Sequence, residues 1–145
     1  MAYSGKYKPK NIKKYVGDIN NVTYRSLWER NLMRWLDSHP DVLQWNSEEI
    51  VVPYICQTDK RRHRYFIDFY FKTIKGEVYL IEVKPKKETV PPKTKRKRSK
   101  RYITEAMTFV KNQSKWAAAT AFANQNNCKF EVWTEDTLRS LGIKI

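Results

Sequence analysis

Two runs of alternating side chains, Arg64 to Thr73 and Glu77 to Lys84, flank the tripeptide Ile74-Lys75-Gly76, and this pattern constrains the fold more than any other part of the chain. A period of two marks half-buried strands, and a three-residue connection with glycine in the left-handed position closes an antiparallel hairpin. Tyr65, Ile67, Phe69 and Phe71 then point one way and Phe66, Asp68 and Tyr70 the other. A three-residue loop sets Thr73 opposite Glu77, and counting outward from that pair brings Asp68 opposite Glu82. Opposed residues share a face with Cβ atoms about 5 Å apart, and Lys84, two residues on, projects from the same face. Two carboxylates and an ammonium are therefore expected to converge.

The remaining periodicities complete an α/β outline. Thr23 or Ser26 can cap a helix that runs to about Ser38 and carries Trp28, Leu32, Trp35 and Leu36 as a buried stripe before His39 and Pro40 end it. Val42 to Tyr54 is rich in β-formers, and the polar stretch Gln57 to His63 leads into the hairpin. An alanine-rich, glycine-free run from about Ile103 to Asn124 predicts a second helix, with Met107, Val110, Trp116, Ala119 and Phe122 recurring along it and an interruption near Asn112 to Ser114. Lys129 to Trp133 predicts a short strand, after which Thr134 caps a last helix to about Leu141, with Glu135 and Asp136 in its first turn. The order suits an α/β sandwich in which helices flank a central mixed sheet. A chain of 145 residues is expected to form a single domain, 1–145.

The net charge of +14 exceeds what solubility requires, and its distribution is uneven. Lys84 to Arg101 holds ten lysines or arginines against the single acid Glu88, a net of +9, and Met1 to Asp18 holds five lysines against one aspartate, a net of +4. The excess thus sits on a basic N-terminal segment, about 1–20, and a basic loop, 85–101, that contains Pro85, Pro91 and Pro92. Both are expected to act as mobile arms that grip a polyanion, with DNA as the partner. The candidate phosphate contacts are Lys86, Lys87, Lys93, Lys95, Arg96, Lys97, Arg98, Lys100 and Arg101, joined by Arg61, Arg62, His63 and Arg64 and by Lys115. A localisation address at Lys95 to Arg101 is the plainer alternative, though it leaves the N-terminal cluster unexplained. No run approaches the roughly 20 apolar residues of a membrane span, and nothing suggests secretion. Cys56 and Cys128 lie far apart with no second cysteine or histidine at zinc-knuckle spacing, so neither a disulfide framework nor a structural zinc is expected, and a reducing cytoplasm is the natural setting.

The converging acids suit phosphodiester hydrolysis, which needs an activated water and neutralised charge on the phosphate and the leaving oxygen. Mg²⁺ takes oxygen ligands, usually one or two carboxylates at about 2.0–2.1 Å plus waters. Asp68 and Glu82 make such a seat, the Val83 carbonyl adds a third ligand, and Mn²⁺ fits the same oxygens. Lys84 then orients or deprotonates the attacking water, or stabilises the phosphorane. Glu-x-Lys on a strand is by itself common on solvated faces. Asp68 sharpens the reading, because an unpaired carboxylate on the face of Phe66 and Tyr70, opposite another carboxylate, is destabilising without a cation between them.

On these residues the chain resembles the PD-(D/E)XK, or restriction-endonuclease-like, superfamily. Tyr65-Phe66-Ile67-Asp68 stands for the family's strand ending in Pro-Asp, with Ile67 in place of the proline, and Ile81-Glu82-Val83-Lys84 for its Glu-x-Lys strand. The resemblance implies a restriction-endonuclease-like core and a metal-dependent nuclease. Tyr24-Arg25-Ser26-Leu27-Trp28-Glu29 resembles the first helix of members that add an acid, which nominates Glu29. Ser26 and Glu29 also read as a capping box, and Glu29 could pair with Arg25. Phe130 to Glu135 resembles the closing strand of transposon-end endonucleases. The basic start, Arg25 to Arg30, Glu82-Val83-Lys84-Pro85-Lys86 and Asn112-x-x-Lys115-Trp116 resemble the branch that serves phage virion assembly. That resemblance implies action on packaged DNA around head-to-tail joining, with head, portal and neck proteins as partners, in the infected host's cytoplasm or on the virion. Asn112 and Lys115 would line the site from the second helix or form a surface polar pair. Two competing readings are a structure-specific or transposon-end endonuclease, and a noncatalytic DNA-binding assembly protein on a nuclease-derived fold, which fold alone does not separate.

Overall fold

The computed structural model describes residues 3–93 and 99–145, so Lys95, Arg96, Lys97 and Arg98 lie outside the described residues. In chain order the elements are β1 (Gly5–Lys6), β2 (Thr23–Tyr24), α1 (Leu27–Ser38), β3 (Val42–Ser47), β4 (Val51–Ile55), β5 (Arg62–Phe66), β6 (Phe69–Thr73), β7 (Val78–Val83), α2 (Lys100–Gln125), β8 (Lys129–Trp133) and α3 (Glu135–Ser140). The central sheet has the order β3-β6-β7-β8. Its first three strands are antiparallel and β8 runs parallel to β7, as the α2 crossover between them permits. The expected mixed sheet flanked by helices is therefore present.

Each face of the sheet has its own core. On one side α1 lays Leu32, Met33 and Leu36 against Trp45, Phe69, Phe71, Ile81 and Trp133. On the other, Trp116, Ala119 and Ala123 of α2 pack with Leu80 and with Val52, Tyr54, Tyr65 and Ile67 of the β4–β5 hairpin and its exit. Alternation along β7 sends Leu80 to the α2 core and Ile81 to the α1 core, so Glu82 belongs to the α2 side.

The structure departs from the sequence pattern in four places. Val42 to Tyr54 makes two strands, β3 and β4, turned at Glu48 with φ +57°. The strand expected over Arg64 to Thr73 is broken at Ile67-Asp68, because its two halves have different partners: β5 pairs with β4, whereas β6 pairs with β3 and β7. At the break Ile67 donates its N–H to Ile50 O at 3.0 Å and Asp68 O accepts from Glu48 N at 3.2 Å. Helix α2 starts earlier than expected, with Ser99 as its cap, and runs unbroken through Asn112 to Ser114, where the Ser114 hydroxyl bonds back to Val110 O at 3.1 Å. Lys100 and Arg101 are thus helical and not part of a loop.

The fourth departure is the N-terminal segment, expected as a mobile arm and instead docked. Tyr15 and Val22 are buried in the α1 core and β1 pairs with β2. The anchor is Asp37, 2% exposed, whose carboxylate accepts from Tyr7 Oη (3.1 Å), Lys10 N (2.7 Å) and Asn11 N (3.3 Å). Burial and the Asp37 charge push the Tyr7 phenol up to about 12, which keeps it a donor. The lysines of this segment therefore ride on an ordered surface.

Candidate active site

The β6–β7 turn sets the register. Gly76 has φ +89°, its N–H reaches Thr73 O at 2.9 Å, and Thr73 N donates to Glu77 O at 2.8 Å. The pairs Lys72–Val78, Phe71–Tyr79, Tyr70–Leu80 and Phe69–Ile81 follow, so the next position outward is Asp68 against Glu82. The ladder stops at Phe69, and the Asp68 side chain replaces it: Oδ2 accepts the Val83 N–H at 2.9 Å. Since the N–H and C=O of one strand residue point the same way, the Val83 carbonyl lies on this edge too.

Glu82 is 6% exposed, and a carboxylate buried that far needs donors. It has two, both on Oε2: the Tyr65 hydroxyl at 2.8 Å and the Trp116 indole N–H at 2.7 Å. Among the described residues no hydrogen bond reaches Oε1 of Glu82 or Oδ1 of Asp68. Each acid is held by one oxygen and presents the other. Burial pushes the Asp68 carboxyl well above the usual carboxylate range, and the Glu82 charge adds to this, against the Val83 N–H and Lys84. Lys84 follows β7 directly, with its backbone N–H on Trp133 O at 3.0 Å. Lys115 approaches from α2, its ammonium 5.5 Å from the Tyr65 ring centre, and burial pulls its pKa down although Glu82 and Asp68 oppose this.

Glu29 stands beside this pair and not within it. Ser26 caps α1 by accepting from Glu29 N at 3.2 Å, while the Glu29 carboxylate takes the Arg25 N–H at 3.0 Å. The expected capping box is thus shifted by one residue, and the Arg25 guanidinium pairs with Glu48 in place of Glu29. Burial raises the Glu29 carboxyl, and the charges of Glu48 and Glu82 raise it further. Glu29, Asp68 and Glu82 do not all offer oxygens within 4.8 Å of one another. The roles of Tyr65 and Trp116 were missed from sequence, where both read only as core. Their signal was the polar tip of each aromatic, which must find a partner once buried.

The candidate DNA contacts fall on two separate parts of the chain. Lys86, Lys87, Lys93, Lys100 and Arg101 are exposed on the segment that follows β7 and at the start of α2. Lys86 is held there, its N–H on Glu135 Oε1 at 2.7 Å and its ammonium 3.2 Å from Asp136, and Arg101 pairs with Glu105 at 3.0 Å. A cleft of about 460 Å³ between this turn and α2 runs from Asn112, one turn before Trp116, to Arg101. Arg61, Arg62 and Arg64 are exposed on the β4–β5 hairpin, whereas His63 bonds Asp59 at 2.7 Å and stacks on Tyr54.

The raised Asp68 carboxyl has a consequence for stability. The folded state holds the Asp68 proton above the unfolded value of about 3.9, so without a cation stability falls as pH rises from there through the folded pKa. Asp68→Asn keeps an acceptor for Val83 N–H and removes the charge. Its expected effect at neutral pH and without divalent ions is a melting temperature higher by on the order of a few degrees, with a flatter decline from acid pH. Equal melting temperatures for both proteins at pH 7 would contradict the crowding of Asp68 by Glu82.

A restriction-endonuclease-like core with acids at the open end of a β-hairpin and a lysine two residues beyond the second acid defines a nuclease, and this chain is one. It belongs to the TnsA-like endonuclease N-terminal family, whose pattern it matches over residues 39–135, a span that includes Asp68, Glu82 and Lys84 and leaves out Glu29. It is also 45% identical to the head completion nuclease of Enterobacteria phage T4 over 148 aligned residues, covering 99% of each chain. No solved structure matches it.

Proposed function

We propose that the whole chain works as one Mg²⁺-dependent deoxyribonuclease domain, with Mn²⁺ as a substitute, acting on packaged phage DNA during head completion and head-tail joining. The observation that carries the metal reading is the tethering of one oxygen each of Asp68 and Glu82, which leaves their second oxygens without a hydrogen-bond partner among the described residues, so that with the Val83 carbonyl they would form an all-oxygen donor set. The head completion nuclease of phage T4, alike along its full length, supports the assembly role. That role makes head, portal and neck proteins the partners and the infected cell or the virion the location.

Asp68, Glu82 and the Val83 carbonyl would hold the ion, which supplies a polarised water and charge neutralisation at the phosphate. Lys84 orients that water or holds a phosphate oxygen, and Lys115 on α2, made less basic by burial, lies close enough to feel the charges of Glu82, Lys84 and Asp68. Glu29 tunes the field of the two acids from α1. Lys86, Lys87, Lys93, Lys100 and Arg101 after β7 and at the start of α2, and Arg61, Arg62 and Arg64 on the β4–β5 hairpin, hold the DNA backbone, so binding weakens as salt rises.

The test is incubation of plasmid DNA, with an RNA of equal length as control, in Mg²⁺, in Mn²⁺ and in EDTA. Cleavage of DNA with either ion and none in EDTA is expected. Undiminished cleavage in EDTA would remove the metal from the proposal.

A further inference from the structure

On the β4–β5 turn, away from the carboxylate pair, Cys56 Sγ, an Asp59 carboxylate oxygen and a His63 ring nitrogen lie within 4.8 Å of one another. We propose that Cys56, Asp59 and His63 form a second metal site, for a Zn²⁺-class transition ion, that clips the tip of this hairpin.

The three residues fall within eight consecutive positions, and the backbone brings them together. Cys56 N donates to Arg61 O at 3.0 Å, Lys60 N to Cys56 O at 2.8 Å, and Lys60 takes φ +57° to close the turn. Each donor group is steadied separately. The His63 ring stacks on Tyr54 with centroids 5.6 Å apart. Asp59 Oδ1 accepts the Arg61 N–H at 2.9 Å, which leaves Oδ2 directed at His63 Nε2. Cys56 is 2% exposed and its sulfur lies 2.9 Å from the Thr58 hydroxyl, which favours the thiolate. Cys128, the other free cysteine, takes no part.

Thiolate, imidazole and carboxylate together are the donor set of a borderline-soft ion and not of Mg²⁺. Ligands sharing a tetrahedral ion with bonds of about 2.0–2.3 Å stand roughly 3.3–3.8 Å apart, so the His63–Asp59 hydrogen bond opens slightly and the thiolate moves in, with solvent as the fourth ligand. In the sequence this set lacks the second cysteine or histidine at knuckle spacing that marks a structural zinc, its middle ligand being an aspartate. A clip here fixes the turn from which Arg61, Arg62 and Arg64 emerge. It is independent of the nuclease centre and stands or falls apart from it.

The full-length protein, freed of metal, is titrated with Co²⁺ and followed by absorbance. A near-ultraviolet thiolate-to-cobalt band saturating at one ion per chain is expected; Zn²⁺ should abolish it and a large excess of Mg²⁺ should not. The band should vanish in Cys56→Ser and weaken in His63→Ala, a change at a half-buried position, and persist in Cys128→Ser and in the Asp68→Asn/Glu82→Gln double variant. Absence of a band, its survival in Cys56→Ser, indifference to His63→Ala, or loss in the double variant would each overturn the proposal.

Discussion

Glu82→Gln and Asp68→Asn are each expected to cut DNA about a thousand-fold more slowly than the parent while remaining folded and DNA-bound. A loss of that size corresponds to about 4 kcal/mol of transition-state stabilisation, the scale of removing a charged group that organises a hydrolytic centre. Both substitutions are nearly isosteric. The amide oxygen placed at position 82 can still accept from Tyr65 and Trp116, and the one placed at position 68 from Val83, so the hairpin and the α2 contact survive. What disappears is the anionic oxygen that each acid turns away from its tether. The same Asp68→Asn change that is expected to stabilise the cation-free protein is thus expected to silence it, as where a fold accepts local repulsion for the sake of activity.

The tethers can be separated from the acids. Trp116→Phe and Tyr65→Phe each remove one of the two donors on Glu82 Oε2 and leave the carboxylate in place. Such supporting contacts are worth about 10–100-fold in metal affinity or activity. The expected signature is a higher Mg²⁺ requirement at unchanged DNA affinity, read from cleavage against Mg²⁺ concentration and from direct Mn²⁺ binding to the DNA-free protein. Glu82→Gln or Asp68→Asn retaining parental rates would remove both residues from the chemistry, and unchanged metal dependence in both phenylalanine variants would reduce Tyr65 and Trp116 to packing.

The second large effect is one of stability. Asp37→Ala deprives the Tyr7 hydroxyl and the Lys10 and Asn11 N–H groups of their acceptor in a half-buried setting. Hydrogen bonds to a charged group contribute about 1.5–3 kcal/mol each, and stranded donors cost further. Since the three share one carboxylate, a combined loss of about 3–5 kcal/mol is expected, against a total of about 5–15 kcal/mol for an ordinary domain. Urea unfolding measures it, and Asp37→Asn, which keeps one acceptor oxygen, should fall between. A loss below about 1 kcal/mol for the alanine variant would mean that the buried Tyr15 and Val22 and the β1–β2 pairing, and not the Asp37 carboxylate, dock the N-terminal segment.

How far the sequence reveals this molecule depends on the range of each interaction. The turn at Ile74-Lys75-Gly76 is local: one glycine at positive φ fixes the register, and the register brings Asp68 to Glu82 and Lys84. Helix α1 is equally legible, because Ser26 carries its own capping signal. The break at Ile67-Asp68 was hidden, since alternation continues through it and only pairing with Ile50 and Glu48 reveals the change of partner. The five lysines before Asp18 suggested a free arm because Asp37, which ties the segment down, lies near the end of α1 and looks like any helix-surface acid. Tyr65 and Trp116 are 51 positions apart, and nothing in either neighbourhood announces that both end on one oxygen.

The parallel pairing of β7 with β8 reaches one residue further, to the Lys84 N–H on Trp133 O. A ribosome delivers β8 only after every acid of the centre has emerged. A nascent chain thus carries its carboxylates for much of its synthesis without the brace that seats the lysine. On the proposed reading of the site, cleavage would begin only once β8 has folded back beside the hairpin.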